Sequence, residues 1–171
     1  LMADEAYGIG KNGEIFDVTF GLYAEKELTA ADGTVIPADG LIEIISLDEN
    51  GNGKVKTDLP IGSYYAKELA TNSAFILNGQ KYPVTFEYAG QETATVHITA
   101  NDGEAIENDI IYGSVSGKKS DEDGNALGGA VIGIFKTGTE KFTTENAIQT
   151  TVTAADGSFS FDKVPYGTWV I

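Results

Sequence analysis

Three polar side chains fall where the strand pattern places apolar ones. In Tyr64-Tyr65-Ala66-Lys67-Glu68, the run that follows Gly62, alternation puts Tyr64, Ala66 and Glu68 on one face, so Glu68 is predicted to point inward. Asn108 stands between Ile106 and Ile110 on a face of the same kind, and Lys119 shares its face with Val115 and Gly117. An unpaired carboxylate or ammonium is costly in an apolar interior, so an inward Lys, Glu and Asn form an unusual set. The same residues fit a plainer arrangement: Lys119 at a strand edge with its ammonium in water, Asn108 at the junction of two domains, Glu68 paired with a surface lysine. The residue pattern alone leaves both open.

Other chemistry has less support. Asp48-Glu49-Asn50-Gly51-Asn52-Gly53 matches the first half of a calcium loop, with side-chain oxygens on Asp48, Asn50 and Asn52 and glycine at the sixth position. The twelfth position must supply a bidentate carboxylate and is Leu59 instead, so a polar hairpin turn is the expected reading and no metal is assigned. The one histidine, His97, lies on an alternating stretch opposite Val96 and Ile98, without partners for a triad or a zinc site. Gly113-Ser114-Val115-Ser116-Gly117 has the glycine spacing of a nucleophile elbow, but its central residue is Val115. No glycine loop suited to phosphate is present, and no cofactor is expected.

The elements that must hold these residues are strands. Tyr82, Val84, Phe86 and Tyr88 share a face while Thr85 and Glu87 point away; Ala94, Val96 and Ile98 repeat the pattern. Turn sequences separate the runs: Ala31-Asp32-Gly33, Glu49-Asn50-Gly51, Leu77-Asn78-Gly79, Glu122-Asp123-Gly124 and Ala155-Asp156-Gly157. With 21 glycines and short, regularly spaced strands, the chain reads as all-β and antiparallel, of the sandwich type. Ala24–Ala31 and Thr143–Ile148 are the only stretches that suggest a single turn or short helix.

The chain also says nearly the same thing twice. Pro60 and Gly62 of Thr57-Asp58-Leu59-Pro60-Ile61-Gly62-Ser63-Tyr64 recur as Pro165 and Gly167 of Asp162-Lys163-Val164-Pro165-Tyr166-Gly167-Thr168-Trp169. Phe20-Gly21-Leu22-Tyr23 upstream of the first copy answers to Ile132-Gly133-Ile134-Phe135 upstream of the second. Two β-domains are expected, 1–112 and 113–171, the second without its last strands. Such an incomplete sheet leaves a strand edge that invites pairing with another chain.

Composition narrows the partners. Eleven Lys and Arg against 26 Asp and Glu give a formal charge of −15, which lacks the clustered cations a nucleic-acid surface needs. The chain has no cysteine, so disulfides do not hold it, and no apolar run approaches the length of a membrane span.

Lys119-Ser120-Asp121-Glu122-Asp123-Gly124, followed by Leu127-Gly128-Gly129-Ala130 and an apolar strand, resembles the opening of Cna protein B-type (CnaB) domains, which are prealbumin-like and Ig-like sandwiches. The Pro-x-Gly-x-Tyr run ending at Glu68 resembles that family's middle strand, and Ala105-Ile106-Glu107-Asn108 its final strand. The likeness covers nearly the whole chain, in two copies, and is strongest to the SpaA-like modules of Gram-positive surface proteins and pilins.

The resemblance implies an intramolecular isopeptide bond, in which a first-strand lysine attacks the last-strand asparagine with help from the middle-strand glutamate. Burial disfavours the charged forms of both amine and acid, which suits nucleophilic attack and proton transfer. By this likeness Glu68 is the proton shuttle, Asn108 the acyl donor of the first domain, and Lys119 the donor amine of the second, whose partners are missing. Lys11 is a weak candidate for the first-domain lysine, because it lies nearer to Phe20 than Lys119 does to Ile132. The implied role is a non-enzymatic stalk module of a cell-wall adhesin or pilin, extracellular, with neighbouring modules as partners. The rival is a carbohydrate- or host-protein-binding module, using Tyr64, Tyr65, Tyr82, Tyr88 or Trp169 to stack on a ligand.

Overall fold

The computed structural model describes residues 1–90, 92 and 99–171; the expected strand Ala94–Ile98 and His97 lie outside them. Strands and turns account for nearly all regular structure, with two four-residue 3-10 turns at Glu14–Asp17 and Ala100–Gly103. The chain divides into two units, one of residues 1–2 and 12–109, the other of residues 3–11 and 110–171.

In the first unit, β1 (Thr19–Ala24), β4 (Leu41–Ser46), β5 (Gly62–Ala70) and β6 (Lys81–Phe86) form an antiparallel sheet in the order β4-β1-β5-β6. A small hairpin joins β2 (Leu28–Thr29) to β3 (Val35–Ile36). Alternation determines what faces inward: Phe20, Leu22 and Ala24 from β1 and Tyr64, Ala66 and Glu68 from β5 are all buried. Each fully buried large apolar side chain contributes on the order of 1.5–3 kcal/mol, so these positions hold the register. That register sets Phe20 opposite Glu68 and Leu22 opposite Ala66.

On the outer face of β1, Gly21 makes room for an aromatic neighbour. A Cβ there would lie 2.6 Å from the Tyr23 ring, and Tyr23 itself stacks on Tyr65 with centroids 5.1 Å apart.

The second unit repeats this plan. β7 (Tyr112–Lys118) pairs with β10 (Ser158–Pro165), while β8 (Val131–Lys136) lies between β9 (Gln149–Val152) and β11 (Trp169–Val170). Gly133 lies under Phe135 as Gly21 lies under Tyr23, with 2.7 Å from its would-be Cβ to the ring. The repeated proline has one function in both copies. The Tyr64 hydroxyl donates to the Pro60 carbonyl, and Trp169 Nε1 donates to the Pro165 carbonyl at 2.8 Å. An aromatic with a polar tip can therefore be buried at that point without leaving the tip unpaired.

The units differ in one respect the sequence reading did not anticipate. Residues 3–11, expected in the first domain, group with the second unit. Tyr7 is buried there, joins Ile134, Phe161 and Val164 in the core, and meets the Trp169 ring edge-on at 4.7 Å. Asp4 holds this segment in a tight loop. Its carbonyl accepts the N–H groups of Gly8 and Ile9, and its carboxylate accepts the Tyr112 hydroxyl at 3.0 Å. The boundary after the first unit falls at Asp109, ahead of the expected residue 112.

Of the two stretches expected to make a single turn or short helix, the second does so. Ala24–Ala31 is divided between the end of β1, a bend and β2, and Thr143–Ile148 makes a single turn in which the Thr143 carbonyl accepts the N–H of Asn146 and Ala147.

Several turns rest on carboxylates that accept main-chain N–H groups. Asp48 Oδ1 takes those of Asn50 and Asn52, both at 2.9 Å, and Asp121 Oδ1 those of Asp123 and Asn125, at 3.0 and 2.8 Å. Glu43 accepts from Lys56 and Thr57 across the segment that precedes β5. Hydrogen bonds to the charged form hold these groups below the ordinary carboxylate range, chiefly the Asn52 N–H for Asp48, the Asn125 side chain for Asp121 and the Thr57 N–H for Glu43.

A lowered native value means the stabilisation is complete above the unfolded-state pKa and is lost as pH falls through the native one. The thermal midpoint is therefore expected to hold from neutrality to about pH 5 and to drop below about pH 4. A melting series across that range checks it, and a midpoint unchanged at the acid end would remove these turns from the account.

Candidate functional site

The site is assembled by three parts of the first unit: β5, the connection between β5 and β6, and the segment ending at Asp109. Glu68 is on β5, the strand between β1 and β6, and is 1 % exposed. Asn108 is 3 % exposed, and its Nδ2 donates to Glu68 Oε1 at 2.9 Å and Oε2 at 2.8 Å. The same Nδ2 donates to the Ile76 carbonyl at 3.0 Å. Glu68 Oε2 also accepts the main-chain N–H of Asn78 at 2.5 Å. A buried carboxylate thus has N–H groups on both oxygens, which is how such a group is accommodated in an interior.

The pair brings together an amide carbon that can be attacked and a carboxyl group next to the nitrogen that would leave. That arrangement suits exchange of the amide –NH₂ for another amine. Among the described residues no cluster of three or more His, Cys, Asp or Glu could hold a metal ion.

The expected lysines are elsewhere. Lys119, predicted to face inward with Val115 and Gly117, is exposed, and its Nζ donates to the Ser120 carbonyl at 2.8 Å. β7 ends at Lys118, so the alternation that would have turned residue 119 inward stops one position short. Lys11 is exposed and its ammonium is bound by the Glu5 carboxylate. Asp48, Asn50 and Asn52 form the polar turn described above, with one Asp48 oxygen already occupied by two N–H groups.

The aromatics of the binding-module reading are mostly interior. Tyr64, Tyr65 and Tyr82 are buried and Trp169 is half-buried, while Tyr88 is exposed. Tyr65 also donates to Asp39 Oδ1 at 2.7 Å and has the Lys81 ammonium 4.0 Å from its ring centroid. A side chain so engaged presents little free face to a sugar.

Two residues of the site were not singled out from sequence. Ile76 contributes only main-chain groups, so its side chain carries no signal. Asn78 was legible only as part of an Asn-Gly turn, and its hydrogen bonds to Glu68, Tyr82 and Glu107 belong to the tertiary structure.

Each unit is thus an antiparallel β-module with a tip-bonded aromatic after Pro-x-Gly. The SpaA prealbumin-like fold domain model matches residues 8–104 and again 113–171, and the chain belongs to that family. Domains of this family are structural modules that occur in surface pilins. Among curated proteins no sequence matches. Of solved structures, the Bacillus anthracis TIE protein is similar over 90% of this chain with a TM-score of 0.56 and 16% identity. At that identity the likeness is one of fold. The chain spans 24% of the length of that protein.

Proposed function

We propose that this chain is a stalk segment of a cell-surface adhesin or pilin, extracellular and wall-associated, in which Glu68 and Asn108 form the acceptor half of a self-made lysine–asparagine isopeptide bond. The observation that carries the reading is the buried contact between the Asn108 amide nitrogen and both Glu68 oxygens. Membership of the SpaA family supports the structural role.

In the reaction a neutral lysine Nζ attacks Asn108 Cγ, and the C–N bond to Nδ2 breaks. One proton passes from the attacking amine through Glu68 to the departing nitrogen, so amide and amine become a substituted amide and ammonia. Water exclusion suits the step, because a buried amine is more easily neutral and a buried amide is protected from hydrolysis. The product ties two strands covalently, which constrains the unfolded chain as a disulfide does in proteins that have cysteine. Lys119 remains the proposed donor for a bond of the second unit, and neighbouring modules are the partners of the stalk.

The test is a fusion that carries the sequence of residues 112–120 ahead of Leu1. Its intact mass is expected to be one ammonia below the sum of its residues, with the bond mapped to Asn108 by peptide digestion. Asn108→Ala and Glu68→Ala should both restore the full mass. A fusion that retains all its nitrogen would overturn the crosslink and leave the module held by packing alone.

A further inference from the structure

The Asn108 amide has two ends, and which one faces Glu68 decides what Glu68 can do. The Ile76 carbonyl settles the orientation. A carbonyl oxygen only accepts, so the amide atom 3.0 Å from it must be the nitrogen. That nitrogen has two hydrogens, one for Ile76 and one for the Glu68 carboxyl oxygens at 2.8 and 2.9 Å. With the amide turned over, Asn108 Oδ1 would oppose the Ile76 carbonyl, two acceptors with no proton between them. The orientation of the acyl donor is thus set by the main chain of the β5–β6 connection, residues 71–80.

That connection is in turn held by Asn78. Its Nδ2 donates to the Tyr82 hydroxyl at 2.8 Å on β6 and toward the Glu107 carbonyl at 3.4 Å, the residue before Asn108. Its Oδ1 accepts the Gln80 N–H at 3.0 Å, which closes the turn, and its own N–H holds Glu68 Oε2 at 2.5 Å. Two residues earlier the Ile76 N–H donates to the Asp109 carbonyl at 2.8 Å. Residues 76 and 78 therefore clasp residues 107 to 109 from both sides of Asn108 while one of them also fixes the acid.

We propose that Asn78 is the positioning residue of this site, holding the leaving nitrogen of Asn108 against Glu68 so that the acid addresses the departing group and not the amide oxygen. The proposal rests on the isopeptide reading for its chemical meaning. Under it, the proton that Glu68 takes from the attacking amine is delivered to Nδ2, the nitrogen it already touches, and ammonia leaves without a rotation of the side chain. The balance is unchanged: one C–N bond forms, one breaks, and one proton moves from amine to ammonia. The Asn78 side chain touches none of the reacting atoms; the residue acts through its main-chain N–H on Glu68 and through the Ile76 carbonyl.

Asn78→Asp is the informative change, since it keeps the shape and the Oδ1 acceptor for Gln80 but replaces the donor that reaches Tyr82 and Glu107. In the full chain, nuclear magnetic resonance of the Asn108 side-chain –NH₂ reports the orientation directly. The wild type should show two slowly exchanging, well-separated amide protons, one with a hydrogen-bond coupling to the Ile76 carbonyl carbon. Asn78→Asp should speed their exchange about tenfold, the effect of losing one buried hydrogen bond. Tyr82→Phe, which removes one acceptor of Asn78 and leaves the Glu107 contact, should give a smaller change in the same direction. In the fusion described above, Asn78→Asp should slow ammonia loss by a similar factor.

The outcomes separate the two readings. Unchanged Asn108 signals in Asn78→Asp, or a wild-type –NH₂ without the Ile76 coupling, overturn the positioning role. A fusion that crosslinks equally fast with and without the substitution overturns it too, while the isopeptide reading stands. A fusion that never crosslinks, with Asn108 signals that still respond to Asn78→Asp, supports the positioning of the amide and overturns the isopeptide reading alone.

Discussion

Replacing Tyr7 by alanine is expected to lower the stability of the second unit by about 3–5 kcal/mol, the range for removal of a buried aromatic. Tyr7 is 4 % exposed and contacts the Ile134, Phe161 and Val164 core, and its ring is against Trp169. Ile9 of the same segment also packs against this core but is only partly buried, and it is smaller than the ring that would be removed. The change should appear in thermal unfolding and as faster amide exchange at Ile134 and Phe161.

The companion change has the opposite sign. The Tyr7 hydroxyl is buried with no hydrogen-bond partner among the described residues, and leaving a buried donor unpaired costs roughly 1–3 kcal/mol. Tyr7→Phe keeps the ring and removes the orphan, so it should leave stability unchanged or raise it by about 1 kcal/mol. If Tyr7→Ala is tolerated with no loss, residues 3–11 do not complete this core. If Tyr7→Phe is destabilising, the hydroxyl has a partner such as an ordered water.

The second large effect concerns the buried pair. Asn108→Leu removes the N–H that Asn108 shares between the Glu68 oxygens and leaves, among the described residues, the Asn78 N–H on the acid. A carboxyl group 1 % exposed and short of donors is costly, and a loss of about 3 kcal/mol is expected. Glu68→Leu should cost a similar amount, because the Asn108 amide then retains only the Ile76 carbonyl and the Asn78 N–H loses its acceptor.

The double replacement should cost clearly less than the two single ones combined, with a coupling of about 1–3 kcal/mol, because it removes both polar groups together. Denaturant titration of the four proteins measures this cycle. Strict additivity would mean that the two side chains do not share their hydrogen bonds. The result does not depend on any crosslinking, so it tests the geometry of the pair independently of the proposed reaction.

How much could be read from the chain follows from the range of the interactions involved. The inward turn of Glu68 was legible because a strand's side chains alternate with a period of two, so its neighbours Tyr64 and Ala66 report its face. Asn108 was expected inward by the same alternation from Ile106 and Ile110, and it and Ile110 are buried, although the expected final strand at Ala105–Asn108 is an extended segment without ladder pairing among the described residues. The repeat, the all-β class and the turn at Asp48 are likewise local or periodic features, and local chemistry suffices to specify them.

Lys119 failed that test because alternation holds only while the strand continues, and where a strand stops is determined by its partner. The last residue of β7 pairs with Ser158, and Lys119 after it keeps main-chain hydrogen bonds to Gly157 and Leu127 while its side chain lies in solvent. Tyr7 was out of reach for a different reason. The run Ala6-Tyr7-Gly8-Ile9 has no period, and its burial depends on Ile134, Phe161 and Val164, residues more than a hundred positions away. Asn78 belongs with Tyr7, since a turn asparagine looks the same whether it faces solvent or clasps a site. Sequence by itself determined the β class, the repeat and the buried faces of strands such as β1 and β5, because those depend on neighbours along the chain. Tertiary structure alone decided what meets across the interior, because hydrogen bonds and packing there join segments whose order along the chain carries no record of the contact.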